Sequence, residues 1–175
     1  MVQIRSAAAA DLDALCRIYA AIHTQEEAGQ ATTGWQRGVY PTRQTAEAAL
    51  ERGDLFVLTD EDAVLGAAVI NRLQVDVYAG AAWSCPAPDD QVMVLHTLVI
   101  SPDAKGRGLG SRFVRFYEAY ALSHGCPYLR MDTNERNTAA RALYRRLGYR
   151  EADVVPCVFN GLEGVRLVLL EKQLA

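Results

Sequence analysis

A glycine-rich segment, Lys105-Gly106-Arg107-Gly108-Leu109-Gly110, is the part of this sequence best suited to hold an anion. An apolar run over residues 92–100 precedes it, and an amphipathic run beginning at Leu109 follows it. This order predicts a strand, a glycine turn and a helix. Backbone N–H groups at a helix start attract phosphate, because they lack intrahelical acceptors and the helix dipole favours negative charge there. The segment therefore predicts a site for a phosphorylated cofactor.

Two phosphate-binding patterns and one plain turn compete for this segment. A nucleoside-triphosphate loop requires Gly-Lys-Ser/Thr after a longer glycine spacing, which the sequence lacks. A dinucleotide loop requires Gly-x-Gly-x-x-Gly, whereas the spacing here is Gly-x-Gly-x-Gly. A turn can also use glycine for its positive φ alone. The segment by itself does not decide among them.

A second block, Asn137-Thr138-Ala139-Ala140-Arg141-Ala142-Leu143-Tyr144-Arg145-Arg146-Leu147-Gly148-Tyr149, narrows the choice. With the glycine segment it resembles the GNAT superfamily of N-acetyltransferases, which move acetyl from acetyl-coenzyme A to an amine. The family loop, Gln/Arg-x-x-Gly-x-Gly/Ala, is matched from Lys105 to Gly110 except that lysine replaces Gln or Arg. The family block, Asn-x-x-Ala-x-x-Leu-Tyr-x-x-x-Gly-Phe/Tyr, is matched at every defined position.

The resemblance implies acetyl-CoA as the cofactor. It implies that backbone amides of the glycine segment bind the pyrophosphate, and that the strand before it holds the pantetheine arm. Arg107 and Arg112 would add charged contacts or would lie solvated at the helix start, and Asn137 would contact the arm or cap the last helix. The implied cofactor-binding residues are Leu98, Val99, Ile100, Lys105, Gly106, Arg107, Gly108, Leu109, Gly110, Ser111, Asn137, Ala140 and Tyr144.

The resemblance also implies catalytic roles for Tyr144, Leu98 and His96. Tyr144 would protonate the leaving thiolate; the alternative is a core tyrosine. The Leu98 N–H would stabilise the thioester oxygen. His96 would be the general base, since alternation places it on the face of Leu98 and its ordinary pKa is about 6.5. A water relay, or a core histidine satisfied by Asp132, is the alternative.

The acceptor site is expected across the sheet from the cofactor. Its candidate walls and polar contacts are Trp35, Tyr40, Gln74, Tyr78, Trp83 and Asp132. The predicted reaction is direct attack of a primary amine in a ternary complex. A small or amino-acid-like acceptor is favoured, and an antibiotic, a peptide N-terminus or a protein lysine is also open. The alternative is a non-catalytic module that binds coenzyme A and regulates another process.

The elements that position these residues indicate an α/β protein with a mixed sheet. The order strand, helix, strand over residues 92–132 predicts a right-handed parallel crossover. Residues 55–73 predict a hairpin, and two strands follow the helix that holds Tyr144. The resemblance adds a mostly antiparallel (α+β) sheet with a splayed parallel pair, flanked by helices.

Length and composition exclude several classes of protein. The 175 residues fit one domain over 1–175, and the net charge of −3 gives no footprint for nucleic acid. No apolar run is long enough to span a bilayer, and no signal peptide is evident. The four cysteines form no Cys-x-x-Cys pair, which argues against a metal site and indicates reduced thiols in a cytoplasmic protein. A homodimer is compatible with the resemblance.

Overall fold

The computed structural model describes residues 1–175. Seven strands form one sheet, and four α-helices flank it. The strands are Val2–Ser6 (β1), Leu55–Asp60 (β2), Ala63–Asn71 (β3), Val92–Ile100 (β4), Tyr128–Asn134 (β5), Arg150–Phe159 (β6) and Leu162–Gln173 (β7). The helices are Leu12–Glu27 (α1), Arg43–Arg52 (α2), Leu109–Ser123 (α3) and Thr138–Arg146 (α4).

The sheet has the order β1-β2-β3-β4-β5-β7-β6 and contains one parallel pair, β4 with β5. Helix α3 connects these two strands, as the sequence predicts. All other neighbouring strands are antiparallel. The predicted class, a mixed and mostly antiparallel sheet with helices on its faces, is therefore confirmed.

The helices divide between the two faces because each buries one apolar stripe. Helix α3 packs Phe113, Val114 and Tyr117 against β4 and β5, and α4 adds Tyr144 to the same cluster. Helices α1 and α2 cover the opposite face. None of the four helices combines the length and apolar character needed to cross a membrane.

A bulge interrupts β4 at Thr97, whose φ is +50°. His96 pairs with Val69 and Val99 pairs with Ala67, so two residues of β4 stand opposite one residue of β3. An extra residue reverses the alternation of side chains beyond it. Leu98 therefore packs on the α3 face, whereas His96 shares the opposite face with its partner Val69. The prediction that His96 and Leu98 share a face is wrong for this reason.

Beyond the bulge, β4 and β5 separate. Their last parallel pair is Leu95 with Met131, although both strands continue for several residues. The backbone of β4 from His96 onward therefore has no strand on its β5 side. This opening is the splay that the resemblance implies, and it creates the cavity described next.

Candidate active site

A cavity of about 570 Å³ occupies the opening between β4 and β5. Its walls come from the ends of both strands, the glycine segment, α4, the turn between β6 and β7, and the connection between α1 and α2. Glu26 fixes that connection, because its carboxylate accepts hydrogen bonds from the Thr33 N–H at 3.0 Å and the Gly34 N–H at 3.0 Å. Residues far apart in the chain thus meet at one site.

The glycine segment presents unpaired backbone donors to this cavity. None of the N–H groups from Gly106 through Ser111 donates to a protein acceptor. Gly106 and Gly108 have φ values of +80° and +70°, which other residues rarely adopt. A Cβ on Gly110 would come 3.3 Å from Leu143 Cδ2, so a side chain there would require the Leu143 side chain to shift by a few tenths of an ångström. The segment has the donors and space to hold an anion.

The basic side chains around the glycine segment are mostly engaged with the protein. Arg107 forms an ion pair with Asp60 at 2.8 Å, and Arg112 donates to the carbonyl of Val2. Lys105 Nζ lies 3.0 Å from Gln25 Oε1. Arg146 is exposed, lines the cavity and forms no ion pair. The sequence analysis missed Arg146, because it occupies an undefined position of the matched block.

The free edge of β4 directs peptide groups into the opening. The Ser101 N–H donates to the carbonyl of Leu65 at 2.7 Å, which is a bond toward β3. Peptide groups of an antiparallel strand alternate in direction, so those of Ile100 point away from β3. Leu98 lies two residues earlier on the same face as Ile100, and its peptide groups share that direction. Leu98 and Ile100 thus offer backbone donors and acceptors to the cavity.

Tyr144 brings a free phenol to the same space. It is 7% exposed, and its hydroxyl has no protein partner. Two side-chain polar atoms are both inaccessible to solvent and without a partner, His23 Nδ1 and Thr59 Oγ1. The Tyr144 hydroxyl is not one of them, so it is accessible, and it opens to the cavity that Tyr144 lines. Burial, and then the charge of Asp132, raise the pKa of Tyr144 above its usual value. The phenol therefore carries its proton at neutral pH.

His96 lies beside the opening, and one of its ring nitrogens already forms a hydrogen bond within the protein. Asn71 donates through Nδ2 to Asp54 at 2.9 Å, so its Oδ1 is the acceptor that His96 Nε2 meets at 2.8 Å. Nε2 therefore holds the ring proton, and Nδ1 holds the lone pair. Burial lowers the pKa of His96 to about 4. The alternative that Asp132 satisfies this histidine is wrong, because Asn71 of β3 does so.

Asp132 is the only acidic residue among those lining the cavity. It lies just past the last pair of β4 with β5, and Tyr78 donates to its Oδ2 at 2.6 Å. The other carboxylate oxygen, Oδ1, accepts no hydrogen bond from the protein and is accessible to solvent, so it faces the cavity. Burial raises the pKa of Asp132 to about 6. Tyr78, a predicted wall residue, is thus a buried support for this carboxylate.

Aromatic side chains form one wall near this carboxylate. Tyr40 makes edge contacts with Trp35 and with Phe159, at centroid distances of 5.9 and 6.1 Å, and its hydroxyl bonds to Thr97 Oγ1. Trp35 and Tyr40 therefore lie where the sequence analysis expects them. It missed Phe159, which reaches the site from the other end of the chain.

Besides Tyr78, two further expected acceptor contacts are absent from the cavity lining. Gln74 bonds to Asp89 at 2.8 Å and accepts from Arg130 at 2.6 Å. The Trp83 indole donates to the carbonyl of Tyr78 at 2.8 Å, and Arg130 stacks over its ring at 4.2 Å. Both side chains tie down the loop before β4.

Asn137 and Ala140 line the cavity at the start of α4. The Asn137 Oδ1 accepts a hydrogen bond from the Ala140 N–H at 3.2 Å, which makes Asn137 the N-cap of this helix. Its side-chain NH₂ remains available to the cavity. The cap anchors the helix that carries Tyr144.

Comparison with known sequences agrees with the two blocks. A profile of the acetyltransferase (GNAT) family matches residues 13–149. An uncharacterized N-acetyltransferase of Methanocaldococcus jannaschii is 27% identical over 96 residues, covering 55% of this chain and 42% of that relative. One from Bacillus subtilis is 33% identical over 61 residues, covering 35% and 41%. These matches span less than half the length of the curated relatives.

Solved structures share the fold along nearly the whole chain. A GNAT-family acetyltransferase from Streptococcus agalactiae has a TM-score of 0.82 at 22% identity, covering 99% of this chain and 96% of that one. An acetyltransferase from Salmonella typhimurium, solved with its cofactor acetyl-CoA, has a TM-score of 0.70 at 19% identity, covering 100% and 95%. The family profile covers more than half of the chain and the resemblance of the two blocks is confirmed, so this protein belongs to the GNAT acetyltransferase family.

Proposed function

We propose that this protein transfers acetyl from acetyl-CoA to a primary amine by direct attack in a ternary complex. One observation carries the proposal: a single cavity joins unpaired N–H donors of the glycine segment, the free edge of β4 and the Tyr144 hydroxyl. The Salmonella typhimurium neighbour with acetyl-CoA supports the choice of cofactor.

The residues present fit acetyl-CoA. The N–H groups from Gly106 to Ser111 would bind its pyrophosphate, which suits a run of donors at a helix start. Leu98, Val99 and Ile100 would hold the pantetheine arm through the edge of β4, next to Asn137 and Ala140 of α4. When bound, acetyl-CoA supplies an electrophilic thioester carbonyl and a sulfur leaving group.

Two groups of the chain would stabilise the negative charge that develops on the carbonyl oxygen and on the sulfur during acetyl transfer. The Leu98 N–H would donate to the carbonyl oxygen as negative charge grows there. The Tyr144 hydroxyl would give a proton to the departing sulfur. Its raised pKa keeps the phenol protonated at neutral pH, and it also makes the phenol a weaker acid toward the departing sulfur. Both groups lie on the α3 face of the opening.

The incoming ammonium must lose a proton before it attacks, and two groups compete to accept it. His96 offers Nδ1, but a pKa of about 4 makes it a weak base near pH 7. Asp132 offers Oδ1, and a pKa of about 6 is closer to working pH. Asp132 is therefore the better candidate, directly or through a water, and His96 the second.

The pH dependence of kcat/KM distinguishes these two bases. The Asp132 carboxylate accepts a proton only when ionised, so activity should fall below about pH 6 as the carboxylate protonates. The loss should approach about tenfold per further pH unit. Asp132→Asn should remove this limb, whereas His96→Gln should keep it. A limb near pH 4 that disappears in His96→Gln would assign the base to His96 instead.

Release of free thiol from acetyl-CoA in the presence of amines tests the proposed function directly. We expect amine-dependent release, and acetyl-CoA should raise the thermal midpoint while NAD and ATP should not. Binding of acetyl-CoA without thiol release on any amine would favour the alternative, a non-catalytic module that binds coenzyme A.

A further inference from the structure

The charges lining the cavity are separated along its length. Its two basic residues, Lys105 and Arg146, belong to the glycine segment and to α4. Its one acidic residue, Asp132, belongs to the end of β5. Asp132 is thus the one charged side chain that this end contributes to the lining, which suits a ligand with a positive charge. Arg136 and Arg166 line an adjoining cavity that shares Trp35 with this one.

Apolar side chains share the cavity with Asp132, beside the polar residues Thr97, Thr133 and Asn134. Trp35, Tyr40 and Phe159 form one connected aromatic wall. Three aliphatic side chains of the β6–β7 hairpin complete this end: Leu162, Val165 and Leu167. The Tyr40 hydroxyl is bonded to Thr97, so Tyr40 offers its ring to a ligand in this part of the cavity.

The Asp132 carboxylate, the aromatic wall and Tyr144 all line one cavity. An ammonium on Asp132 Oδ1 would thus share this cavity with the Tyr144 hydroxyl and with the rings of Trp35, Tyr40 and Phe159.

We infer that the acceptor is a primary amine with an aromatic or branched apolar skeleton and no charge besides its ammonium. This inference rests on the proposed function and names its substrate class. An α-amino acid would bring a carboxylate beside Asp132, where no lining cation offsets it. Burying such a charge without a partner is costly. The amino-acid-like acceptor favoured by the sequence analysis is thus disfavoured at this site.

Matched acceptors test the inference, with kcat/KM measured for phenethylamine, phenylalanine and ethylamine under saturating acetyl-CoA. We expect phenethylamine to exceed phenylalanine by about 100-fold, because the extra carboxylate has no partner. It should exceed ethylamine by at least about tenfold, because its ring is buried. Equal or better turnover of phenylalanine would overturn the inference.

Calorimetric binding of the same three compounds to the protein with coenzyme A separates this inference from the proposed function. Preferential binding of phenethylamine without any turnover would sink the proposed function and leave the acceptor class standing. Weaker or equal binding of phenethylamine relative to phenylalanine would sink the acceptor class, whatever the turnover.

The Phe159→Ala variant tests whether the aromatic wall binds the apolar skeleton of the acceptor. We expect KM for phenethylamine to rise about tenfold through lost ring contact, with KM for ethylamine and kcat nearly unchanged. Val158→Ala is the matched control, since Val158 is 68% exposed on the same strand. Phe159→Leu, which keeps an apolar side chain, should recover part of the loss. Equal changes for both amines in Phe159→Ala would place the aromatic wall outside acceptor binding.

Discussion

Replacing Tyr144 by phenylalanine should lower kcat by about 100-fold or more while leaving acetyl-CoA affinity unchanged. The phenol lies at the cavity and has no protein partner, so its loss removes a proton donor without breaking a hydrogen bond. The sulfur would then leave as an unprotonated thiolate or wait for a proton from water. KM for the amine should change little, because the hydroxyl acts after the acceptor is bound.

Single-turnover kinetics with the full-length chain measure this effect on the chemical step. Tyr128→Phe is the matched control, because Tyr128 lies at the start of β5, outside the cavity lining. Both variants should unfold at the wild-type temperature, so a difference between them reports chemistry. If Tyr144→Phe retains the wild-type kcat, the proton reaches sulfur by another route and Tyr144 is a core tyrosine, the alternative from the sequence.

The sequence correctly predicts the parts of the candidate site whose structure depends on residues close together in the chain. The glycine segment, the β4–α3–β5 crossover and the helix of Tyr144 each rest on turn residues and periodicity within a short stretch. Short-range patterns of this kind survive in the fold because tertiary packing reinforces them. The positions of the glycine segment and of Tyr144 at the cavity follow from them.

The bulge at Thr97 is the feature that the sequence conceals. A threonine with φ of +50° carries no glycine or asparagine signal, so strict alternation is the natural expectation for β4. Its register with β3 is set by pairing across the sheet rather than within the strand. That pairing places His96 on the other face, where its Nε2–H donates to Asn71 Oδ1. Asp132, whose pKa burial raises to about 6, is then the better candidate for the proposed base.

The sequence predicts only half of the residues around Asp132 for a related reason. Trp35, Tyr40 and Asp132 line the cavity as expected, and Phe159 is missed. Gln74, Tyr78 and Trp83 are expected there but do not line it. Aromatic residues in loops have no period, so which of them reach a cavity depends on contacts between distant segments. Arg130 draws Trp83 away, and the β6–β7 hairpin brings Phe159 in.

Gly108→Glu should weaken acetyl-CoA binding by about 100-fold, because it puts a carboxylate where the first turn of α3 would meet the pyrophosphate. Gly108 caps α3 with φ of +70°, and a side chain there has open space but an unfavourable backbone. The left-handed conformation costs a non-glycine residue about 1–2 kcal/mol, so some stability should be lost even without ligand.

A second glycine separates that strain from the loss of binding. Gly80 has φ of +77°, lies exposed and has no atom near its missing Cβ, so Gly80→Glu carries comparable strain away from the cavity. At 100 times the wild-type Kd, acetyl-CoA should stabilise the wild type and Gly80→Glu by about 2.7 kcal/mol, and Gly108→Glu by only about 0.4 kcal/mol. Equal ligand stabilisation of both variants would show that the pyrophosphate does not rest on this segment, and the glycines would then serve only the turn between β4 and α3.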